Sequence, residues 1–187
     1  MMDFAAVLEF LLKSFANQKI DYAFIGGFAL QAAGVTRSTQ DIDFLVLARD
    51  GDKIKNLMTA KGYRILHESP DVMNFLGNQP QLGRVDFLLA HRKYTLGTLA
   101  RAKTKDLFGG QLKAKFAEPE DLIGLKVQSS SNDATRMDQD MADIKSLLRT
   151  HYPRLDTERI REYFQLFDRE KELDQLILEV KNASDAG

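Results

Sequence analysis

Two aspartates separated by a single residue interrupt an apolar stretch of this sequence. Asp41 and Asp43 stand in "DIDFLVLA", where the other side chains are typical of a buried strand. Side chains alternate between the two faces of a strand, so both carboxylates point the same way, with Cα atoms roughly 6.5 to 7 Å apart. Like charges this close repel each other, and a cation between them keeps both ionised. The pair therefore predicts a metal site; a solvated strand start is the alternative.

A third aspartate occupies a similar setting further along the chain. Asp86 lies in "RVDFLLA", where Val85 and Phe87 face the opposite side of the strand. If this strand is adjacent to the first, three carboxylates converge. Oxygen ligands without a nearby His or Cys favour Mg²⁺ or Mn²⁺ over zinc. We therefore expect Asp41, Asp43 and Asp86 to hold a divalent cation.

A glycine pair precedes these aspartates. Gly26 and Gly27 end the strand-like "IDYAFIGG" and come before "FALQAAG", which has helical composition and a plausible cap at Gly34. Because glycine has no Cβ, the backbone N–H groups of such a turn can approach phosphate oxygens. A purely structural turn is the alternative interpretation.

The elements that position these residues form a mixed α/β pattern. Strands are predicted at "DIDFLVLA", "YRILHE", "VMNFLG" and "RVDFLLA", and helices at "MMDFAAVLEFLLKSFANQ" and "DGDKIKNLMTAKG". "KDLFGGQLKAKFA" resembles a hairpin that turns at Gly109 and Gly110. No element is predicted for residues 92–104. Beyond Pro119, four segments show helical spacing, and Pro119 and Asp156 mark two of the starts.

Length and composition narrow the class of protein. The 187 residues, 44% of them hydrophobic, suffice for one domain with a small helical appendage, and the net charge of −1 indicates no particular partner. Without cysteine, zinc-finger and thiol-enzyme classes are excluded, and a cytoplasmic location is expected. No run approaches the roughly 18 apolar residues of a membrane helix, so no membrane association is expected.

The combination of motifs resembles the nucleotidyltransferase superfamily, which has the polymerase-beta-like fold. Its signature is a strand, a Gly-Gly or Gly-Ser turn, a helix, and a strand with two spaced acids, with a third acid on a later strand; here these are "IGG", "DID" and "RVDF". More narrowly, "FIGGFALQAAGVTRSTQDIDFLV" resembles AbiEii-like nucleotidyltransferases, many of which are toxins of toxin–antitoxin or phage-defence pairs. The resemblance covers roughly residues 20–145.

The resemblance implies a fold and a reaction. The fold is α+β, a nucleotidyltransferase core of a mixed sheet flanked by helices over residues 1–117, with a helical C-terminal region packed on it over residues 118–187. The reaction moves a nucleoside monophosphate from an NTP to an acceptor and depends on Mg²⁺ or Mn²⁺. Asp41, Asp43 and Asp86 would be both the metal ligands and the catalytic residues. The residues assigned to the nucleotide are Gly26, Gly27, Arg37, Ser38, Thr39 and Lys126.

Some of these assignments have structural alternatives. Arg37 either contacts phosphate or forms a surface salt bridge, and Lys126 either contacts the triphosphate or is solvated. Asp140 and Asp143 either pair with basic neighbours or orient Lys126, or they form an exposed acidic face. Residues 91–115 hold an excess of positive charge that either engages an RNA acceptor or is a solvated face. The basic residues there are Arg92, Lys93, Arg101, Lys103, Lys105, Lys113 and Lys115.

The expected function is therefore a nucleotidyltransferase that acts on RNA or protein, with a toxin-like role and a cognate antitoxin as partner. Two alternatives stay open. The first is a nucleotide- or protein-binding module that keeps the fold without turnover. The second is a transferase that modifies a small molecule such as an antibiotic.

Overall fold

The computed structural model describes residues 1–185, and the chain forms two compact units. The first unit consists of Met1–Ala29 and Arg37–Ala117. The second consists of Leu30–Thr36 and the chain from Glu118 onward. Among the described residues, no helix is long and apolar enough to cross a membrane.

The first unit is built on a seven-stranded mixed sheet. Its strands are β1 (Tyr22–Ile25), β2 (Asp41–Leu47), β3 (Tyr63–Glu68), β4 (Val72–Gly77), β5 (Arg84–Ala90), β6 (Lys103–Leu107) and β7 (Leu112–Phe116). Their order across the sheet is β3-β4-β5-β2-β1-β7-β6. The β2–β5 and β1–β7 pairs are parallel, and the other four pairs are antiparallel. The helices are α1 (Phe4–Gln18), α2 (Gly26–Ala32), which continues into the second unit, α3 (Gly51–Lys61) and α4 (Lys93–Arg101).

An aromatic layer covers one face of this sheet. The Phe44 ring lies 4.5 Å from that of Phe24 and 5.6 Å from that of Phe87, measured between centroids. Phe15 of α1 packs edge-on against Phe44 at 5.3 Å, so α1 covers this face. All four rings are buried. Because side chains alternate along a strand, the residues on either side of Phe44 point to the opposite face.

Local signals in the sequence define the ends of these helices. The Asp3 carboxylate accepts a hydrogen bond from the Ala6 N–H at 3.1 Å and so caps α1. At the C-terminal end of α3, Gly62 adopts φ 98°, a left-handed conformation that glycine takes at little cost.

Within the described residues, the second unit contains the helices α5 (Pro119–Asn132), α6 (Met137–His151), α7 (Thr157–Gln165) and α8 (Glu170–Asp185). Their buried apolar side chains include Leu122, Ile144, Leu147, Ile160 and Phe164. Pro119 stands in the first turn of α5, and the Asp156 carboxylate caps α7 by accepting from the Arg159 N–H at 3.1 Å.

The α+β fold expected from the sequence is confirmed. The hairpin of β6 and β7 turns through Gly109 and Gly110, which have φ of 67° and 91°. Helix α4 was not predicted, because Gly97 and two threonines weaken its helical signal. Within α4, Thr98 is buried and its hydroxyl donates to the Tyr94 carbonyl at 3.0 Å, so tertiary packing overrides the low propensity.

The aromatic layer predicts a large effect of truncation at its centre. Phe44→Ala should lower the free energy of unfolding by about 3 to 5 kcal/mol, because it opens a cavity between packed rings. Leu66→Ala is the control, since Leu66 is 44% exposed and its truncation should cost little. Urea denaturation of both variants measures the difference. Equal losses would contradict the packing described.

Candidate active site

The three aspartates singled out above lie on two adjacent strands. In the parallel β2–β5 pair, Asp43 is the register partner of Asp86, and Asp41 is the partner of Arg84. Directly paired residues project to the same face, and neighbouring strands lie about 4.8 Å apart. All three carboxylates therefore share the face opposite the aromatic layer. Ile42 and Phe44, the chain neighbours of Asp43 on β2, are fully buried, which anchors the strand beneath the carboxylates.

The glycine pair lies directly against Asp43. Gly26 has φ +62°, and a Cβ built on it would lie 2.1 Å from Oδ2 of Asp43. A Cβ on Gly27 would lie 2.7 Å from the Cβ of Thr39. Only glycine fits at these two positions, so the turn backbone approaches the carboxylate as closely as sterics allow.

The loop before β2 carries the other residues assigned to the nucleotide. The Thr39 hydroxyl donates to the Asp41 carbonyl oxygen at 3.1 Å, which ties the loop to the start of the strand. Ser38 is exposed, and Arg37 is partly buried. All three belong to the first unit, together with the aspartates and the glycine pair.

Arg84 is a site residue that the sequence analysis missed. It stands two positions before Asp86 on β5, so its side chain shares the face of the carboxylates. Its Nε donates to Oδ1 of Asp86 at 3.0 Å, and its terminal nitrogen lies 2.9 Å from Oδ2. The alternation of "RVD" in the sequence contained this signal.

A second missed residue extends the row of polar side chains across the sheet. Asn74 on β4 is the register partner of Asp86, and His67 on β3 is the partner of Asn74. The row Asn74, Asp86, Asp43 therefore crosses three adjacent strands on one face, and His67 lies beyond it at a shift in the register of β3. Strand order is not local in sequence, so this neighbourhood could not be read from spacing.

The electrostatics of the site follow from this crowding. Burial raises the pKa of Asp41 above the ordinary aspartate value, the charge of Arg84 opposes that rise, and the charge of Asp86 adds to it. The hydrogen bond to Asp86 raises the pKa of Arg84; burial opposes this, and the negative charges of the three aspartates add to it. The guanidinium thus offsets part of the repulsion among the acids.

The fit of a divalent cation depends on the donor set. Asp43 and Asp86 offer carboxylate oxygens from directly paired positions, which suits a hard cation such as Mg²⁺. Within residues 1–185, no three His, Cys, Asp or Glu side chains are grouped closely enough to hold a metal ion. Both oxygens of Asp86 contact Arg84 instead. The donor chemistry fits a metal, and Asp86 is shared with Arg84.

Lys126 lies in the second unit, where its surroundings are unlike those of a solvated lysine. The side chain is 9% exposed, and Nζ lies 2.8 Å from Asp140 Oδ1 and 2.8 Å from Asp143 Oδ2. Both aspartates are buried. The pairing of Asp140 and Asp143 with Lys126 is confirmed, Asp140 also lies 3.3 Å from its basic neighbour Arg136, and the exposed acidic face is wrong.

Similar folds occur among solved structures. The antibiotic-resistance factor ANT(2'')-Ia superimposes with a TM-score of 0.62 at 13% identity, over 100% of each chain. A nucleotidyltransferase-like protein from Paracoccidioides brasiliensis gives 0.57 at 20% identity, over 94% of this chain and 92% of that one. This chain has the nucleotidyltransferase fold.

A third structure with the nucleotidyltransferase fold is the lincosamide antibiotic adenylyltransferase LnuA. It gives a TM-score of 0.54 at 19% identity, over 79% of this chain and 98% of that one. No protein-family model matches the sequence, and no curated protein is similar enough in sequence to match it. The likeness therefore lies in the nucleotidyltransferase fold, with little sequence in common.

The contact between Gly26 and Asp43 can be tested by adding one methyl group. Gly26→Ala should lower the free energy of unfolding by more than Gly109→Ala does. Both glycines have similar positive φ, 62° and 67°, but a Cβ at Gly109 meets nothing within 4 Å. The control isolates backbone strain of about 1 to 2 kcal/mol, and the excess at Gly26 measures the clash with the carboxylate. Guanidinium denaturation gives both values, and equal losses would contradict the close approach.

The buried cluster around Lys126 predicts a strong loss of stability when its charge is removed. Lys126→Met should lower the free energy of unfolding by about 3 to 5 kcal/mol, because two buried carboxylates lose the buried ammonium, although Asp140 keeps a longer contact of 3.3 Å with Arg136. Lys145→Met is the matched control, since Lys145 is 40% exposed and pairs with Glu179 at the surface. A cost for Lys126→Met no larger than that of the control would show that the cluster is solvated.

The same cluster predicts a pH dependence. Burial alone raises the pKa of Asp140, but hydrogen bonds from Lys126 and Ser129 and the lysine charge outweigh it and lower that pKa below 3.8. A lowered folded-state pKa contributes stability above the unfolded value, and this stability is lost as the pH falls through the folded value. Thermal melts between pH 7 and pH 2 should show this acid loss in the wild type, and Lys126→Met should show less of it. The same acid loss in both proteins would contradict the assignment.

Proposed function

We propose that this chain is a metal-dependent nucleotidyltransferase, which moves a nucleoside monophosphate from an NTP to an acceptor and releases pyrophosphate. The strongest support is the pairing of Asp43 with Asp86 across adjacent strands, next to the backbone of Gly26. Spaced acids alone occur in many sheets. Here they lie beside a glycine turn in a chain with the nucleotidyltransferase fold.

The acids have distinct roles in this proposal. Asp41 and Asp43 would hold Mg²⁺ or Mn²⁺, with Asp86 as a third ligand. The bound cation would neutralise charge on the transferring phosphoryl group and lower the pKa of the acceptor hydroxyl. Asp86 accepts a hydrogen bond from that hydroxyl and orients its oxygen towards the α-phosphorus. A bond from the acceptor oxygen to the α-phosphorus forms as the bond between that phosphorus and pyrophosphate breaks, and the hydroxyl proton is lost to water.

The glycine turn and the loop before β2 bind the triphosphate in this proposal. The N–H groups of Gly26 and Gly27 donate to the β- and γ-phosphates. Helix α2 has only 7 residues, so these N–H groups contribute more than its dipole does. Arg37 and Ser38 contact the phosphates at the rim. Thr39 contributes by fixing the loop through its hydrogen bond to the Asp41 carbonyl.

Lys126 is the least direct of the assigned contacts. Its ammonium has three donors, and two of them are directed at Asp140 and Asp143. A phosphate contact would use the third donor. The two aspartates orient the lysine and also reduce its net charge, so its contribution to triphosphate affinity is smaller than that of an unpaired lysine.

The acceptor and the biological role are the finer parts of the proposal. Residues 1–117 form the catalytic core and residues 118–187 the helical region of a cytoplasmic enzyme of the AbiEii-like group. RNA or protein is the acceptor, and a cognate antitoxin is the partner in a toxin–antitoxin or phage-defence pair. This part rests on the sequence resemblance and on the basic segment 91–115. Several of its charges have internal partners, since Lys115 pairs with Asp21 and Arg92 with Asp71.

A small-molecule acceptor is the second candidate, and the comparisons favour it. ANT(2'')-Ia, which matches along the whole chain, has been solved in complex with adenylyl-2''-tobramycin. LnuA has been solved with lincomycin bound. In this alternative the proposed chemistry at Asp41, Asp43 and Asp86 is unchanged, and only the acceptor differs.

The proposed reaction can be measured with each of the four NTPs labelled at the α-phosphate. Mg²⁺ and one acceptor pool, either RNA, total protein, tobramycin or lincomycin, complete the assay. Asp43→Asn and Asp86→Asn should each lower transfer by at least about 100-fold, because each removes a charge that stabilises the transition state. Chelation of the metal should have the same effect, and the labelled product identifies the acceptor class.

Asp106→Asn is the matched control, because Asp106 is an exposed acid on β6, at the edge of the same sheet. It should leave transfer unchanged. Transfer that survives both active-site substitutions would contradict the proposed catalytic roles. NTP binding without transfer to any acceptor would support the non-catalytic module.

A further inference from the structure

Arg84 holds the acid that the proposed reaction uses for the acceptor. It begins β5, and its register partner on β2 is Asp41. Its guanidinium engages both oxygens of Asp86, through Nε at 3.0 Å and a terminal nitrogen at 2.9 Å. Two parallel contacts of this kind form the strongest geometry between arginine and a carboxylate.

Arg84 is a local counter-charge for the three carboxylates of Asp41, Asp43 and Asp86, which are called the acidic row below. Asp41 faces it from the adjacent strand, and Asp43 lies beside Asp86 on the same face. Repulsion among three carboxylates on one face favours whatever positive charge lies closest. The protein supplies that charge from its own chain.

A divalent cation and this guanidinium need the same oxygens. A metal ion takes carboxylate lone pairs directly, and both oxygens of Asp86 already accept from Arg84. The Arg84 side chain is 42% exposed, whereas that of Asp86 is 18% exposed. The arginine can therefore move into solvent while the aspartate stays in place on the strand.

We propose that Arg84 is a positioning residue that competes with the divalent metal for Asp86, so that the metal site closes only when the Arg84–Asp86 pair opens. The inference rests on the proposed function, since it assumes that Asp86 is a metal ligand. While the Arg84–Asp86 ion pair is formed, the guanidinium offsets the repulsion among the carboxylates of the acidic row. When this ion pair is broken, the positive charge of the metal offsets that repulsion instead.

Two effects of opposite sign follow from removing this arginine. The metal-free protein loses the counter-charge of its acidic row, so it becomes less stable. Metal binding no longer has to break a two-contact ion pair, so it becomes tighter. A residue with a merely structural role would weaken both properties together.

The test is a titration with Mn²⁺ alone, in which electron paramagnetic resonance measures the free ion. Arg84→Gln should lower the dissociation constant by about tenfold, which corresponds to the loss of one charge-assisted pair. Arg84→Lys keeps the charge but not the two-contact geometry, and should fall between Arg84→Gln and the wild type. Thermal melts without metal should show Arg84→Gln below the wild type, and saturating Mn²⁺ should narrow that gap.

Arg64→Gln is the matched control for net charge. Arg64 is exposed on β3, in the same cross-strand row as Leu76, Arg84 and Asp41, but two strands away from Arg84. Its substitution removes the same charge from the same face without touching an aspartate. It should change the Mn²⁺ dissociation constant by less than about twofold.

The outcomes separate this inference from the function on which it rests. Wild-type binding that is lost in Asp43→Asn and Asp86→Asn supports the metal site. If Arg84→Gln then binds Mn²⁺ no more tightly than the wild type, the competition is overturned and the metal site stands. If neither the wild type nor Arg84→Gln binds Mn²⁺, the metal site is overturned, and the competition with it.

Discussion

The register of β2 against β5 is the constraint on which the candidate site depends. It pairs Phe44 with Phe87 on one face and Asp43 with Asp86 on the other. A slip of one strand by one residue would turn that strand's side chains to the wrong face, so that its carboxylates would enter the aromatic layer. An unpaired carboxylate buried there would cost several kcal/mol. Packing on one face and charge on the other therefore select the same register, and the core itself positions the acids.

That register also creates an electrostatic cost. It places three negative side chains on neighbouring positions, and burial raises the pKa of Asp41 further. The three carboxylates share one face of the sheet, and Arg84, which lies on β5 two residues before Asp86, offsets part of their repulsion with its partly exposed guanidinium.

The sequence predicted the parts of the site that depend on local alternation. Asp41 and Asp43 share a face because they are two residues apart, and the same rule would have placed Arg84 beside Asp86. The hairpin at Gly109 and Gly110 and the four C-terminal helices were also predicted, from the glycine pair and from the helical spacing of apolar residues. The neighbourhood of Asn74 and Asp86 was not, because it depends on the order of strands in the sheet. Helix α4 was missed because burial of its threonines, which spacing does not reveal, stabilises it.

In the second unit, the position of Lys126 is set by its two ion-pair partners, Asp140 and Asp143. Replacing a buried ion pair by apolar side chains is often neutral or stabilising, so stability alone does not explain why Lys126 is buried with two aspartates. The cluster does fix how α5 and α6 align. Asp140 and Asp143 stand three residues apart on one face of α6, and both lie 2.8 Å from the same ammonium. A shift of α6 by one turn, about 5.4 Å, would break both contacts and leave the buried ammonium without these two carboxylates. The lysine therefore selects one alignment of the two helices.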